Sequence, residues 1–414
     1  MLKILEKKVV VSYINVFIGN ILSRAISFIT NVIIAKQVSI DDFGTFRWVL
    51  SLITYLLLTI DFGFSTFLLK EYHNNSISLE KAIKIQIYTR FPASIILFLF
   101  SSFFVIVLFN LPVEKILFYG LILLNVVFFV FEINYIFNIK EKFEAYSVLL
   151  FLKSILFFII ILIFNELVTL NLIYLAIAFT ASSVIYYFLE WFEIFRKKLI
   201  DFKLFVSEKI TINDTIDILK KSIFINLSYI MITIYYNLDA IMLGILKDSY
   251  SVAIYSVAYS FLLLAILPTN ILYTVYSPTL AKNVYSKEIL KKYVKYTIAL
   301  GFVIFLGLLI LHKYLILLTY GYKYQESSQI LLLLSFDIIP CYTAGAFANP
   351  INVWGHYKAY LYIVSSGAIV NFVGNLILIP IIGIYGAILT TILSEIVVTI
   401  FAIIFWVRNR GLLK

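Results

Sequence analysis

Twelve long, mostly apolar stretches, separated by short polar connections, dominate this 414-residue chain. A helix needs roughly 20 such residues to cross the hydrocarbon core of a bilayer. Helices suit that medium because each backbone N–H and C=O finds its partner within the segment. The predicted spans are residues 9–35, 44–70, 85–110, 114–139, 146–165 and 169–192, then 219–246, 250–280, 292–318, 328–353, 358–381 and 383–407. Composition agrees: 62% of residues are hydrophobic and 14% charged, against about 45–50% and about 25% in soluble domains. No water-soluble core could enclose so much Phe, Ile, Leu and Tyr, so lipid must be the solvent. The expected fold class is all-α and integral to a membrane, with about twelve transmembrane helices. The basic start, residues 1–8, precedes an apolar run too long for a signal-peptide core, with no small-residue cleavage site close behind. It is read as leading into the first span.

The net charge of +10 does not indicate nucleic acid, because the Lys and Arg lie in short clusters between apolar runs. Topology explains them, since positive loops stay on the cytoplasmic side. The N-terminus, the even-numbered loops and the C-terminus hold twenty-five of the 33 basic residues. The odd-numbered loops hold five: Lys36, Lys115, Lys247, Lys313 and Lys323. Both termini are therefore expected in the cytoplasm. Arg24, Arg47 and Lys153 are left inside spans. The single cysteine, Cys341, excludes an intrachain disulfide and a cysteine-based metal cluster. His73, His312 and His356 are scattered, and no HExxH, phosphate-binding loop or nucleophile elbow is present. No catalytic, metal or cofactor site is expected.

The two halves repeat weakly at near-constant spacing. Residues 42–46 (DFGTF) align with 251–255 (SVAIY), 142–146 (KFEAY) with 356–360 (HYKAY), and 173–176 (IYLA) with 384–387 (IYGA). Six spans per half makes the repeats parallel, and such transporters bind cargo between halves. The expected organisation is a six-helix bundle over 1–192, a basic cytoplasmic linker over 193–218 and a second bundle over 219–414, around a central cavity.

Polar residues inside the spans recur at helical spacing. Asn20, Arg24, Ser27 and Asn31 share one face of span one, and Arg47, Ser51, Thr54, Asp61 and Ser65 one face of span two. Asn226, Thr233 and Asn237 do the same in span seven, where Thr233 is the repeat partner of Arg24. Ser256, Ser260, Asn270 and Thr274 follow in span eight, and Asn371 and Asn375 share a face in span eleven, open between packing glue and cavity lining. Ser and Thr alone are read as packing glue. Arg24, near mid-span, is read as lining an aqueous cavity, because a buried charge in lipid costs about 2.5–3.5 kcal/mol or more. Lys153 fits either cavity lining or snorkelling, and Arg47 fits snorkelling. Asp61, Glu132, Asp239, Asp337 and Glu395 are open between charge partner for Arg24 or Lys153, proton carrier and cation ligand. Asp41 and Asp42 invite a glycosyltransferase reading, but a helix N-cap explains them more simply. Pro268, Pro278, Pro340 and Pro350 are expected to interrupt spans eight and ten.

Three segments carry a family likeness: 35–44 (AKQVSIDDFG), 60–65 (IDFGFS), and 236–244 (YNLDAIMLG) followed by 253–259 (AIYSVAY). With twelve spans and a parallel repeat, the chain resembles the polysaccharide flippases of bacterial O-antigen and capsule pathways. These belong to the multidrug/oligosaccharidyl-lipid/polysaccharide exporter superfamily. The fragment before Phe43-Gly44 departs from the common Leu-Gly-Pro-Glu pattern. The resemblance implies a bacterial inner-membrane flippase for undecaprenyl-diphosphate-linked oligosaccharide, working among membrane lipids beside a polysaccharide polymerase and a chain-length regulator in lipopolysaccharide or capsule synthesis. Cofactors are not implied; coupling to protons, sodium or the membrane potential is open. A multidrug exporter shares the architecture, and the lipid II flippase branch typically has two further spans. A membrane glycosyltransferase or polymerase is disfavoured, because the largest loop is the basic inner one.

Overall fold

The computed structural model describes residues 2–64, 68, 72, 77–109 and 113–413, and its side chains from Ile18 onward except at 108–109, 221, 224–232 and 234–237. The described residues are helical throughout, without strands. The helices are α1 (Leu2–Gln37), α2 (Ile40–Asp61), α3 (Leu79–Phe109), α4 (Val113–Phe128), α5 (Tyr135–Ile139), α6 (Phe143–Leu167), α7 (Leu172–Arg196) and α8 (Phe202–Ser207). They continue as α9 (Ile212–Leu246), α10 (Ser249–Lys282), α11 (Lys287–Thr319), α12 (Glu326–Ser335), α13 (Ile338–Val353), α14 (Tyr357–Ile382) and α15 (Ile384–Arg408). Eleven spans among the described residues are long and apolar enough to cross a membrane, counting α4–α5 and α12–α13 as one each. The remaining predicted span falls in α9, where the side chains of 221, 224–232 and 234–237 lie outside the described residues.

The chain forms two compact units, residues 1–38 with 52–230, and 39–51 with 231–414. The boundaries differ from the expected halves. The start of α2 belongs to the second unit, the start of α9 to the first, and the linker is part of the first unit. The start of α2 is held by close backbone packing on α10. A Cβ on Gly44 would lie 1.7 Å from the Ser249 carbonyl oxygen. Thr45 Oγ1 donates to Ser249 Oγ at 3.0 Å. Trp48 occupies the space beside Gly244, where a Cβ would lie 2.1 Å from the indole ring, and its Nε1 donates to the Ile241 carbonyl at 3.1 Å. Two glycines of the family-like segments are thus explained by packing.

The linker is not a loose loop. Lys84 Nζ donates to the carbonyls of Val206 and Glu208 at 2.9 and 2.7 Å, and Asp201 N donates to Glu80 at 2.9 Å. Lys81 pairs with Asp214 at 2.9 Å. That bond, with the N–H and hydroxyl of Thr211, holds the Asp214 carboxyl down at about 2.

The repeat reappears in backbone detail. Ser39 Oγ accepts from Asp42 N at 3.0 Å, and Asp248 Oδ1 from Ser251 N at 2.7 Å, so each caps its helix 209 residues apart. The cap of α2 is therefore Ser39. Asp41 and Asp42 fall in the first turn, where carboxylates suit the positive end of the helix. The turn before α6 matches the turn before α14. Lys140, Glu141 and Lys142 donate to Ile136, Asn138 and Phe137 carbonyls, as Trp354, Gly355 and His356 donate to Pro350, Asn352 and Ile351. Glu141 has φ +53° and Gly355 φ +88°. A side chain in that left-handed region costs roughly 1–2 kcal/mol. Gly355→Ala should therefore lower the melting temperature of the detergent-solubilised protein, while Glu141→Gly should leave it unchanged or raise it. The reverse order would show that the matched turns are strained differently.

Loops sort by parity, as alternating spans require. Second-loop residues bond linker residues 201–214, and Lys140 of the fourth loop bonds Tyr72 of the second at 2.7 Å. In the second unit Phe43 packs edge-on to Tyr324, Lys247 bonds the Pro380 carbonyl at 2.9 Å, and Tyr285 bonds His356 at 2.9 Å. Odd loops meet odd, and even meet even.

Spans four and ten are both broken, each at an acidic residue. In span ten Pro340 has no N–H for the Phe336 carbonyl. The chain bends at Phe336–Asp337, where i→i−3 bonds to Leu333 and Leu334 replace the regular ladder. The other expected interruptions do not occur: α10 runs unbroken through Pro268 and Pro278, and α13 through Pro350. Span four contains no proline in its break. A 3₁₀ turn, Phe129–Phe131, leads to an extended Glu132 (φ −70°, ψ 119°).

Candidate functional site

Every backbone group freed inside a membrane span needs a partner, and in span four the partners build a site. The Glu132 carbonyl accepts from Gln86 Nε2 at 2.7 Å and from Arg90 Nη1 at 3.0 Å. Trp191 Nε1 donates to the Phe131 carbonyl at 3.0 Å, and Ile133 N donates to Glu190 at 3.3 Å. Arg90 is wholly buried. Its Nη2 also pairs with Asp61 at the end of α2, and its guanidinium lies 4.8 Å over the Phe129 ring. Lys153 of α6 points inward, with Nζ 4.8 and 5.9 Å from the rings of Tyr186 and Tyr187 on α7. It faces the carboxyls of Glu132 and Glu190. Gln86 Oε1, Arg90 Nε and the Tyr135 hydroxyl are buried with no partner among the described residues. The first unit thus encloses three carboxyls, an Arg, a Lys and several tyrosines, with hydrogen-bonding capacity unspent.

Arg90 is the residue that sequence reasoning misses. The charge tally groups it with the second loop, since it lies only five residues past the predicted start of span three at residue 85. Helix α3 begins at Leu79, which sets Arg90 three turns inside. The available signal is the Gln86, Arg90, Ser94 stripe at i, i+4, all three fully buried. Glu190, two residues from the predicted end of span six, is also fully buried.

The stripe on α1 divides. Ser27 donates to Ser154 of α6 at 3.3 Å, beside a Ser23–Ser154 bond of 2.6 Å. These hydroxyls lie at a helix–helix contact. Asn31 Nδ2 bonds the Ser27 carbonyl at 2.8 Å. Asn20 and Arg24 are exposed on the neighbouring face. Among the described residues no carboxylate or hydrogen-bond partner meets Arg24. The rival pairing of Arg24 with Asp61 is not present, because Asp61 pairs with Arg90. Thr54 is exposed in the first unit.

In the second unit Arg47 is half-buried and faces Tyr320, and Thr233 is half-buried. The side chains of Asn226 and Asn237 lie outside the described residues. Asp239 of α9 collects four donors: Tyr255 at 2.5 Å, Asn375 at 2.6 Å, Thr391 at 2.8 Å and Asn371 at 3.1 Å. Asn375 also bonds Asn371 at 3.1 Å and accepts from Thr390. Asn371 and Asn375 are 1% and 0% exposed, so they serve a closed network around one carboxylate. Asp337 and Glu395 lie together near Cys341 in the same unit.

A polytopic helical chain with acids at two broken spans defines a multi-pass membrane protein. Among solved structures the chain is similar to a lipid II flippase, MurJ, in an inward closed conformation, with TM-score 0.76 and 18% identity over 95% of this chain and 87% of that one. It is similar to an inward-facing multidrug resistance MATE family transporter of the MOP superfamily, with TM-score 0.71 and 15% identity over 94% of both chains. It is also similar to a MOP superfamily transporter from Pyrococcus furiosus, described as having a binding pocket of reverse polarity, with TM-score 0.63 and 15% identity over 98% of this chain and 95% of that one. These likenesses show the fold. Comparison by sequence with curated proteins finds no match. The pattern of the polysaccharide biosynthesis protein family matches residues 10–284, and the chain belongs to that family. It is a multi-pass helical membrane protein, and its fold is the one seen in these solved flippase and transporter structures.

Proposed function

We propose that this protein flips undecaprenyl-diphosphate-linked oligosaccharide repeat units from the cytoplasmic to the periplasmic leaflet of a bacterial inner membrane, by alternating access. Both termini are cytoplasmic in this reading, which follows the positive-inside bias. The cargo then passes to a polysaccharide polymerase and its chain-length regulator, in O-antigen or capsule synthesis. The observation that carries the reading is Arg24. It lies thirteen residues from the end of α1, about 20 Å at 1.5 Å per residue, which is mid-bilayer depth. It is exposed there with no carboxylate among the described residues to neutralise it. A guanidinium at that depth is stable against an anion, and a diphosphate offers two-point hydrogen bonding. Multidrug cargo, usually cationic, would call for exposed acids at this depth. Asp239, Asp337 and Glu395 are instead 4%, 2% and 5% exposed.

Arg24→Ala should abolish glycan export while the protein stays in the membrane, and Arg24→Lys should restore part, since Lys keeps the charge and loses the fork. Adding Asp61→Ala should not rescue it, because Asp61 pairs elsewhere. Export at the wild-type rate by Arg24→Ala would overturn the assignment.

A further inference from the structure

Away from the buried charges of span four, α3 and the linker enclose a cavity of about 420 Å³. Lys84 and Tyr88 of α3 line it, with Glu208, Thr211, Ile212 and Thr215 of the linker. All of them belong to the first unit. Lys84 is in the second turn of α3, so the cavity lies at one end of a membrane span. At about 30 Å³ per water it has room for about fourteen, ample for a phosphate and a two-carbon amine.

Most charges beside it are already engaged. Lys81 pairs with Asp214, Glu80 accepts from Asp201 N, and Asp201 caps α8. Two charged groups are left on the wall itself. Lys84 Nζ donates two of its three N–H groups to the Val206 and Glu208 carbonyls and keeps the third. The Glu208 carboxylate makes no ion pair among the described residues. The Thr211 hydroxyl donates to Asp214 at 2.8 Å, and that of Thr215 to the Thr211 carbonyl at 3.4 Å. Both hydroxyls therefore have only acceptor capacity left.

From the cavity an apolar stripe runs along α3. Tyr88, Phe91, Ile95 and Leu99 are exposed and recur at helical spacing, on one face. On a membrane span such a stripe lies against acyl chains. A cation, an anion and surplus acceptors at the end of a span, continuous with an outward apolar stripe, match one phospholipid. Charge decides which. An anionic headgroup would bring its charge to Glu208 with no amine to answer it. A choline headgroup is zwitterionic, but its quaternary nitrogen has no N–H. A primary ammonium has three, for a carboxylate and two hydroxyl oxygens.

We propose that this cavity binds an ethanolamine phospholipid. Its phosphate takes the third N–H of Lys84, its ammonium donates to Glu208 and the threonine hydroxyls, and an acyl chain lies along the stripe from Tyr88 to Leu99. A lipid so held ties the linker to α3 from the membrane side. The proposal depends on the membrane spans and not on what the protein transports.

Native mass spectrometry of the delipidated full-length protein, titrated with phosphatidylethanolamine, phosphatidylcholine or phosphatidylglycerol of identical chains, reads the site. The wild type should take one phosphatidylethanolamine about fivefold or more tightly than either other lipid. That lipid should also raise its melting temperature most. Glu208→Gln keeps the shape and the backbone carbonyl that Lys84 bonds, and should lose the preference. Lys203→Gln removes an exposed charge of the same linker that does not line the cavity, and should keep it. A wild type that takes the three lipids alike holds annular lipid only, and the site is overturned. So it is if Glu208→Gln keeps the preference or Lys203→Gln loses it. The wild-type comparison stands even where a variant folds poorly.

Discussion

Arg90→Ala should leave little folded protein in the membrane. The side chain is fully buried and bonds both the Asp61 carboxylate and the Glu132 carbonyl. Truncation takes the guanidinium away from a carboxylate that is itself only 18% exposed. Removing one partner of a buried ion pair typically costs about 3–5 kcal/mol. The Glu132 carbonyl keeps only the Gln86 bond, and Phe129 loses its stacked cation. Folded proteins have only about 5–15 kcal/mol to lose. Arg90→Lys should recover little, because a single ammonium cannot serve two acceptors in a fork and lie over a ring at once. Asp61→Asn in the Arg90→Ala background should recover part, since it removes the charge that Arg90 met. Size-exclusion profiles and melting curves of detergent extracts read all three. A near-wild-type melting temperature for Arg90→Ala would mean that the Asp61–Arg90–Glu132 linkage contributes nothing to stability.

Gly44→Ala should be as damaging for a different reason. The added methyl carbon would meet backbone, with the Ser249 carbonyl oxygen at 1.7 Å and its carbon at 2.6 Å. Backbone cannot rotate out of the way as a side-chain tip can. The start of α2 would have to lift off α10. The Thr45–Ser249 bond, the Phe43–Tyr324 contact and the fit of Trp48 beside Gly244 would then be lost together. Overpacking usually costs about 1–3 kcal/mol, and a methyl driven into backbone belongs at the upper end. Gly120→Ala is the control. It lies within α4, where a Cβ meets nothing within 4 Å, so the better helix former should stabilise by up to about 1 kcal/mol. Equal melting temperatures for the two variants would refute the close approach.

Much of the fold was legible before any coordinates. The span count followed from the length and apolarity of each run. The repeat followed from short matches, and the caps at Ser39 and Asp248 and the turns at Glu141 and Gly355 return the same offsets, 209 and 214 residues. The break at Asp337 was signalled by Pro340. The break at Glu132 was not, because no local residue forces it. It persists because Gln86, Arg90, Trp191 and Glu190, from two other helices, satisfy the freed backbone. Arg90 was missed because a hydropathy window is blind to where a helix begins; once α3 starts six residues earlier than predicted, a loop charge becomes a core charge.

The sequence by itself determined the solvent, the number of spans, the duplication and the segregation of basic loops. Each of these depends on properties that add along the chain: apolar length, charge count and spacing. Only the tertiary structure decided which intramembrane charges pair. Helical spacing placed Asp61, Arg24 and Lys153 on faces without saying which faces meet. The structure joins Asp61 to Arg90, turns Lys153 onto two tyrosines, closes Asn371 and Asn375 around Asp239, and leaves Arg24 exposed. In a low-dielectric interior a charge is settled by the few atoms that touch it. Those atoms come from helices distant in sequence, so no local pattern could name them.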